Sequence, residues 1–220
     1  FTTRELGLKD IKVFSGVYLG EPEALTHTTR RPIPIKDVYK VQTLCRELDD
    51  EPRWLIALIS DTGMRLSEAT GLIVEDIKLD DIHPHILLRP HPWRRLKTQS
   101  SERIVPLDGA SLWAAKRALE ATSNKFLFPR YCDEVRCKGN SASAALNKWL
   151  SSRVPSGCVV HSFRHSFRDR LRAVECPPDI VDRLGGWSVE GVGETYGDGY
   201  PLGVLSRWIK SILYLRYLKR

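Results

Sequence analysis

The sequence predicts a mostly helical α+β protein with a small antiparallel three-stranded sheet inserted among the helices. Apolar residues follow helical spacing through most of the chain. Between residues 85 and 107 that period gives way to short β-rich runs divided by turn residues, and helical spacing resumes at residue 111. These two features define the class.

Residues 1–30 mix Gly, Pro and Thr without a long periodic pattern and read as a linker. Arg30-Arg-Pro-Ile-Pro34 reads as an extended entry into a helix, because each proline keeps its predecessor out of helical geometry. Lys36 to Asp49 has helical spacing, with Val38, Val41, Leu44, Cys45 and Leu48 on one side. Pro52 to Asp61 is apolar nearly all round, as a buried central helix must be, and Gly63 is placed to stop it. Leu66 to Leu72 is a further short helix. The expected strands are His85–Arg89, Trp93–Lys97 and Arg103–Leu107. Helices follow over 111–121, 141–151, 162–174, 178–184 and 201–217. In the last of these, Leu205, Trp208, Ile209, Ile212 and Leu213 form an apolar stripe that looks exposed.

The chain has 220 residues, 42% of them apolar, which suits a packed core rather than disorder. Its formal charge of +7 permits a polyanionic partner without requiring one. Five cysteines at irregular spacing point to reduced thiols in a cytoplasmic setting, and Cys132 and Cys137 lack the close C-x-x-C partner pair of a zinc site. The densest apolar run, Trp54–Ile59, is too short to span a bilayer, so no membrane role is expected. Phe1 in place of an initiating Met suggests a portion of a longer protein.

Three stretches carry candidate chemistry. On a helix, His161-Ser-Phe-Arg164-His165-Ser-Phe-Arg168 sets Phe163, Phe167, Leu171 and Val174 on one side and His161, Arg164, His165 and Arg168 on the other. Two histidines beside two arginines suit an anion, although a solvated basic face has the same pattern. In Asp61-Thr-Gly-Met-Arg65-Leu-Ser-Glu68, an arginine follows a glycine turn, and Glu68 is spaced to orient it. Leu184-Gly-Gly-Trp187 is followed nine residues later by the Gly-flanked Tyr196. Each stretch alone also fits an ordinary surface or core.

Together, Thr62-Gly-Met-Arg65-Leu-Ser-Glu68, Lys97-Thr, Arg103-Ile-Val-Pro-Leu107, His161-Ser-Phe-Arg164-His165, Leu184-Gly-Gly-Trp187 and Tyr196 resemble the ordered boxes of the tyrosine recombinase (phage integrase) family. The resemblance runs from about Arg31 to Tyr196. It implies the tyrosine-recombinase catalytic fold over 31–220, with residues 1–30 a linker or the remnant of an N-terminal DNA-clamping domain. It implies site-specific recombination of double-stranded attachment sites, integrating or excising a mobile element, by a homo-oligomer that is a tetramer in the synapse. The C-terminal helix has two readings, closing the chain's own core or, as in the resembled family, docking on a neighbouring protomer.

By the same resemblance Tyr196 is the nucleophile and Arg65 and Arg164 bind the scissile phosphate. Trp187, where most members have His, adds an N–H donor but exchanges no proton. His161 takes the phenolic proton and Lys97 protonates the leaving oxygen. Glu68 supports Arg65, while Arg94, Arg95, His165 and Arg168 contact DNA. No metal or other cofactor is implied. A type IB topoisomerase-like relaxing enzyme and a catalytically silent DNA-binding regulator are the alternatives. Tyr200 is the rival nucleophile, disfavoured by its distance from Trp187.

Overall fold

The computed structural model describes residues 31–187 and 199–218, with side chains described as far as residue 215. The linker expected over residues 1–30 and the expected nucleophile Tyr196 lie outside the described residues.

Pro34, extended at φ −55° and ψ 143°, leads into helix α1 (Ile35–Leu48), which ends where Asp49 turns left-handed. The Asp49 carboxylate then accepts from Trp54 Nε1 at 2.7 Å and Arg117 Nε at 3.0 Å, so this corner is also pinned to later elements. Helix α2 (Glu51–Thr62) opens with Asp50 capping Arg53 N–H and Pro52 in the first turn, and closes at the left-handed Gly63. Every residue from Trp54 to Thr62 is buried, as its all-round apolar character requires. Helix α3 (Leu66–Thr70) follows almost at once.

The sheet has the order β1–β2–β3, all antiparallel, formed by β1 (Ile77–Lys78), β2 (His85–Leu88) and β3 (Arg103–Pro106). Its register pairs Ile77 with Ile86 and Leu88 with Arg103. Trp93–Lys97 is therefore not the third strand. Only an isolated bridge joins His91 to Arg94, and the side chains of Trp93 and Arg94 point inward as anchors instead of alternating along a ladder. The strand that takes its place, Ile77–Lys78, is two residues long and too short to show a period.

Helix α4 (Gly109–Ala121) presents Ala110, Ala114, Ala115 and Ala118, a small-residue face on which α2 packs. Helices α5 (Gly139–Leu150), α6 (Ser162–Ala173) and α7 (Pro178–Gly185) follow, and α8 (Leu202–Leu218) ends the described chain. One apolar core centres on α2. A second joins Phe167 and Leu171 of α6, Ile180, Val181 and Leu184 of α7, and Leu205, Ile209 and Ile212 of α8. Of the α8 stripe, Leu205, Ile209 and Ile212 are thus buried in cis at no more than 2% exposure, while Trp208 and Leu213 are half-buried.

Cys132 and Cys137 are joined in a disulfide, which corrects the expectation of five reduced thiols. An antiparallel bridge sets their Cα atoms 4.1 Å apart, within bonding reach of both sulfurs. Cys45, Cys158 and Cys176 are buried thiols, and burial pushes those of Cys45 and Cys176 up to about 12.

A buried ion pair ties the helices together. Asp61, at the end of α2, accepts from Arg170 of α6 at 2.8 Å, Gln42 of α1 at 2.8 Å and the Ala110 N–H of α4 at 2.9 Å. Four helices converge on one carboxylate, and its removal strands a buried guanidinium. Asp61→Ala is therefore expected to lower stability by about 3–5 kcal/mol, read as a fall in the urea midpoint at neutral pH.

Candidate active site

The centre of the site is Glu68, 2% exposed, on the short helix that follows Gly63. One oxygen accepts from Arg65 Nη1 at 2.6 Å, and the other accepts the Arg65 backbone N–H at 2.9 Å and Arg103 Nη2 at 3.1 Å. Glu68 thus caps the start of its own helix while pairing with two arginines from separate elements. Burial alone would raise its carboxyl, but Arg103 and Arg65 more than reverse this and hold it below the ordinary glutamate range.

Arg65 also donates to Ser101 Oγ at 2.9 Å, and Thr98 Oγ1 lies 2.9 Å from the same hydroxyl. Arg103, 3% exposed, has every arm of its fork in use. Beyond Glu68 it donates to Leu184 O at 3.0 Å and Ser101 O at 2.8 Å. It therefore bolts β3 to the end of α7. Gly186 makes room for it: at φ +62° the backbone is left-handed, and an added Cβ would lie 2.6 Å from Arg103 Nη1.

Arg164 arrives from α6. The helix-wheel expectation set it on a polar face, yet it is only 4% exposed and turns inward. Its guanidinium donates to Gly63 O at 2.7 Å and Gly186 O at 3.5 Å, so it lies between the turn before Arg65 and the turn before Trp187. Burial, then the nearby cations Arg65 and Arg103, push its pKa down to about 9, which leaves it charged at neutral pH. Trp187 supplies an indole plate. The guanidinium of Arg164 lies 4.3 Å and that of Arg168 4.8 Å from its ring centre.

The remaining expected residues divide by location. His161 is exposed at the start of α6, its ring 5.4 Å from that of the half-buried His165 in an edge-to-face pair. Lys97 and Arg95 are exposed on the segment between β2 and β3. Arg168 is paired with Asp182 at 2.9 Å and is partly exposed. Arg94 does not fit a DNA contact: it is 3% exposed and spends its guanidinium on Glu68 O at 2.7 Å and on Arg89 O. Tyr200, the rival nucleophile, donates its hydroxyl to Asp179, which raises the phenol's pKa and disfavours phenolate.

Sequence reasoning assigned no role to Arg103 or Ser101. The available signal was a charged residue opening an otherwise apolar strand, which a buried counter-ion alone makes stable. No metal-ligand cluster of three or more His, Cys, Asp or Glu occurs among the described residues.

The phage integrase family model matches residues 36–198, and the chain belongs to that family. Among solved structures, the Tn1549 transposon integrase in complex with circular intermediate DNA matches at 16% identity and a TM-score of 0.53, over 87% of this chain and 65% of that one. XerA recombinase matches at 15% identity and a TM-score of 0.51, over 99% of this chain and 72% of that one. The chain thus spans less than two thirds of the length of the transposon integrase. The likeness establishes that the fold is the one found in tyrosine recombinases. No match occurs among curated proteins.

The depressed carboxyl of Glu68 has a consequence for pH. A folded pKa below the unfolded value, 4.5, contributes stability that is complete above that value and lost as pH falls through the folded one. Glu68→Gln is expected to cost about 3–5 kcal/mol at neutral pH, since it leaves the buried Arg103 and the half-buried Arg65 short of a counter-charge. Urea titrations of both proteins should show the gap narrowing below the unfolded pKa, because only the wild type has a Glu68 contribution to lose there.

Proposed function

We propose that residues 31–220 form the catalytic unit of a site-specific DNA recombinase that cuts and rejoins double-stranded attachment sites through Tyr196. The observation that carries this reading is the cluster of Arg65, Arg103 and Arg164 around the single carboxylate Glu68. Three guanidiniums against one carboxylate leave a surplus of two positive charges. A phosphodiester under attack gains negative charge on its non-bridging oxygens, and planar, always-charged guanidiniums suit it.

The phenolic oxygen of Tyr196 attacks phosphorus, forming a P–O bond to the tyrosine as the bond to the 5′ oxygen breaks. His161 takes the phenolic proton, and Lys97 delivers one to the departing 5′ oxygen. Arg65 and Arg164 bind the non-bridging oxygens, and Trp187 N–H adds a neutral donor beside them. Arg103 and Glu68 hold these groups in place. The product is a 3′-phosphotyrosine and a free 5′ hydroxyl, with the ester retained for rejoining. No step draws on a nucleotide or metal.

The exposed Arg95 and the half-buried His165 and Arg168 suit contacts to flanking phosphates. The solved transposon integrase is bound to DNA, which supports a DNA partner here. Integration or excision of a mobile element, oligomerisation on paired sites and a cytoplasmic location belong to the same reading. No described helix is long and apolar enough to cross a membrane.

A nicked duplex that loses its leaving strand on cleavage traps the intermediate. Such duplexes, selected from random sequence by covalent capture on the wild-type chain, are expected to give a protein–DNA adduct resistant to denaturation. Tyr196→Phe should abolish it. An adduct that survives in Tyr196→Phe and vanishes in Tyr200→Phe assigns the nucleophile to Tyr200, and no adduct with any duplex rejects the enzymatic reading.

A further inference from the structure

The segment from Arg89 to Gln99 carries Lys97 yet belongs to no strand, so side chains must hold it. Most of those that do lie before Lys97, and Thr98 Oγ1 meets the Ser101 hydroxyl just after it. Arg94 donates into the backbone of α3 at Glu68 O, 2.7 Å away. Trp93 Nε1 donates to Gly71 O at 3.1 Å, and its ring packs edge-on against Phe126 with centroids 5.1 Å apart. Gly71 permits the close docking: an added Cβ would lie 2.6 Å from Arg94 Cδ. Arg89 and His91 turn to one carboxylate, Asp76. Arg89 Nε is 3.0 Å from Oδ1 and His91 Nε2 is 2.9 Å from Oδ2, while Arg94 Nη2 is 3.9 Å from Oδ2.

Asp76 is fully buried at the end of a single 3-10 turn, Val74–Asp76, and also accepts the Ile73 N–H at 3.3 Å. Three side chains of one segment therefore converge on a carboxylate fixed to the body of the fold. Beyond Arg94 the arrangement changes, and Arg95 and Lys97 are exposed. Three residues of extended chain reach at most about 10 Å, so an anchor at Arg94 confines Lys97 to a small region beside α3.

We propose that Asp76 is a positioning residue for Lys97, fixing the base of its segment against α3 so that the lysine ammonium meets the leaving 5′ oxygen. The proposal rests on the reading of Lys97 as the proton donor. A merely structural Asp76 would affect every substrate alike, whereas one that acts through Lys97 affects only cleavage that needs a proton.

Two captured duplexes separate these, identical except that sulfur replaces the bridging 5′ oxygen in one. A thiolate departs without protonation. Asp76→Asn is expected to slow adduct formation on the oxygen duplex by about 10- to 100-fold, the scale of a misplaced reacting group. It should cut the sulfur duplex at the wild-type rate. Lys97→Ala should show the same pattern with a larger loss. If Lys97→Ala is rescued by sulfur and Asp76→Asn is slow on both duplexes, or normal on both, Asp76 does not position Lys97 and the proposal is overturned. If Lys97→Ala is slow on both, the proton-donor reading fails and takes the proposal with it. A wild-type chain that cuts neither duplex overturns both. Should Asp76→Asn fail to melt cooperatively, Arg89→Ala serves in its place. Its side chain is 44% exposed, and its loss leaves the Ile73 and His91 contacts to Asp76 standing. The same rescue is expected, and a wild-type rate on oxygen overturns the proposal.

Discussion

A single buried carboxylate, Glu68, sets the geometry of the site. Guanidiniums repel one another at close range, and burial strengthens that repulsion. Arg65 and Arg103 tolerate each other's company because Glu68 lies between them, with one oxygen 2.6 Å from the first and the other 3.1 Å from the second. Arg103 then extends the connection to the Leu184 carbonyl, so helix α3, strand β3 and helix α7 are registered against one anion. Arg164 receives no such partner. It rests on two backbone carbonyls and the face of an indole, and its depressed pKa records the remaining positive surplus.

The site accordingly has two physical halves. Arg103, Arg164 and Glu68 are buried and hydrogen-bonded to the body of the protein, so their positions are set by the fold itself. His161 and Lys97 are exposed at the ends of anchored elements, one at the start of α6 and one beyond the Arg94 anchor. Electrostatic groups gain from rigidity, because they act by being in place before charge develops. Under the proposed function His161 and Lys97 carry protons, a task that needs access to a substrate and some freedom to follow it.

How much of this the sequence discloses depends on what each residue leans on. Helix α2 is legible because an all-apolar run bounded by Asp50, Pro52 and Gly63 carries its own start and stop signals. Arg65, Glu68 and Arg164 are legible as motif members, but the inward turn of Arg164 is not, since the helical wheel reports a face and not the two carbonyls waiting opposite it. The third strand is not legible because β1 is two residues long, while Trp93–Lys97 has strand-like composition for a different reason: its aromatic and arginine side chains are anchors. Arg94 reads as a surface cation beside Arg95 until the gap left by Gly71 is seen. The Cys132–Cys137 pairing depends on an antiparallel bridge that five irregular cysteines do not announce. The α8 stripe showed its spacing correctly, but spacing does not say whether the partner surface belongs to the same chain.

The close backbone approach at Gly186 has a further consequence, for how the protein can change. An arginine nitrogen sits where any side chain at that position would begin, and every arm of the same arginine is already committed. A side chain at that position would meet both a left-handed backbone and a guanidinium with nowhere to go. If the proposed function holds, variation that alters which DNA is chosen is expected on exposed segments such as the one bearing Arg95 rather than in the arginine frame. On that reading the architecture separates how a phosphate is handled from which stretch of DNA presents it, and leaves the second freer to drift.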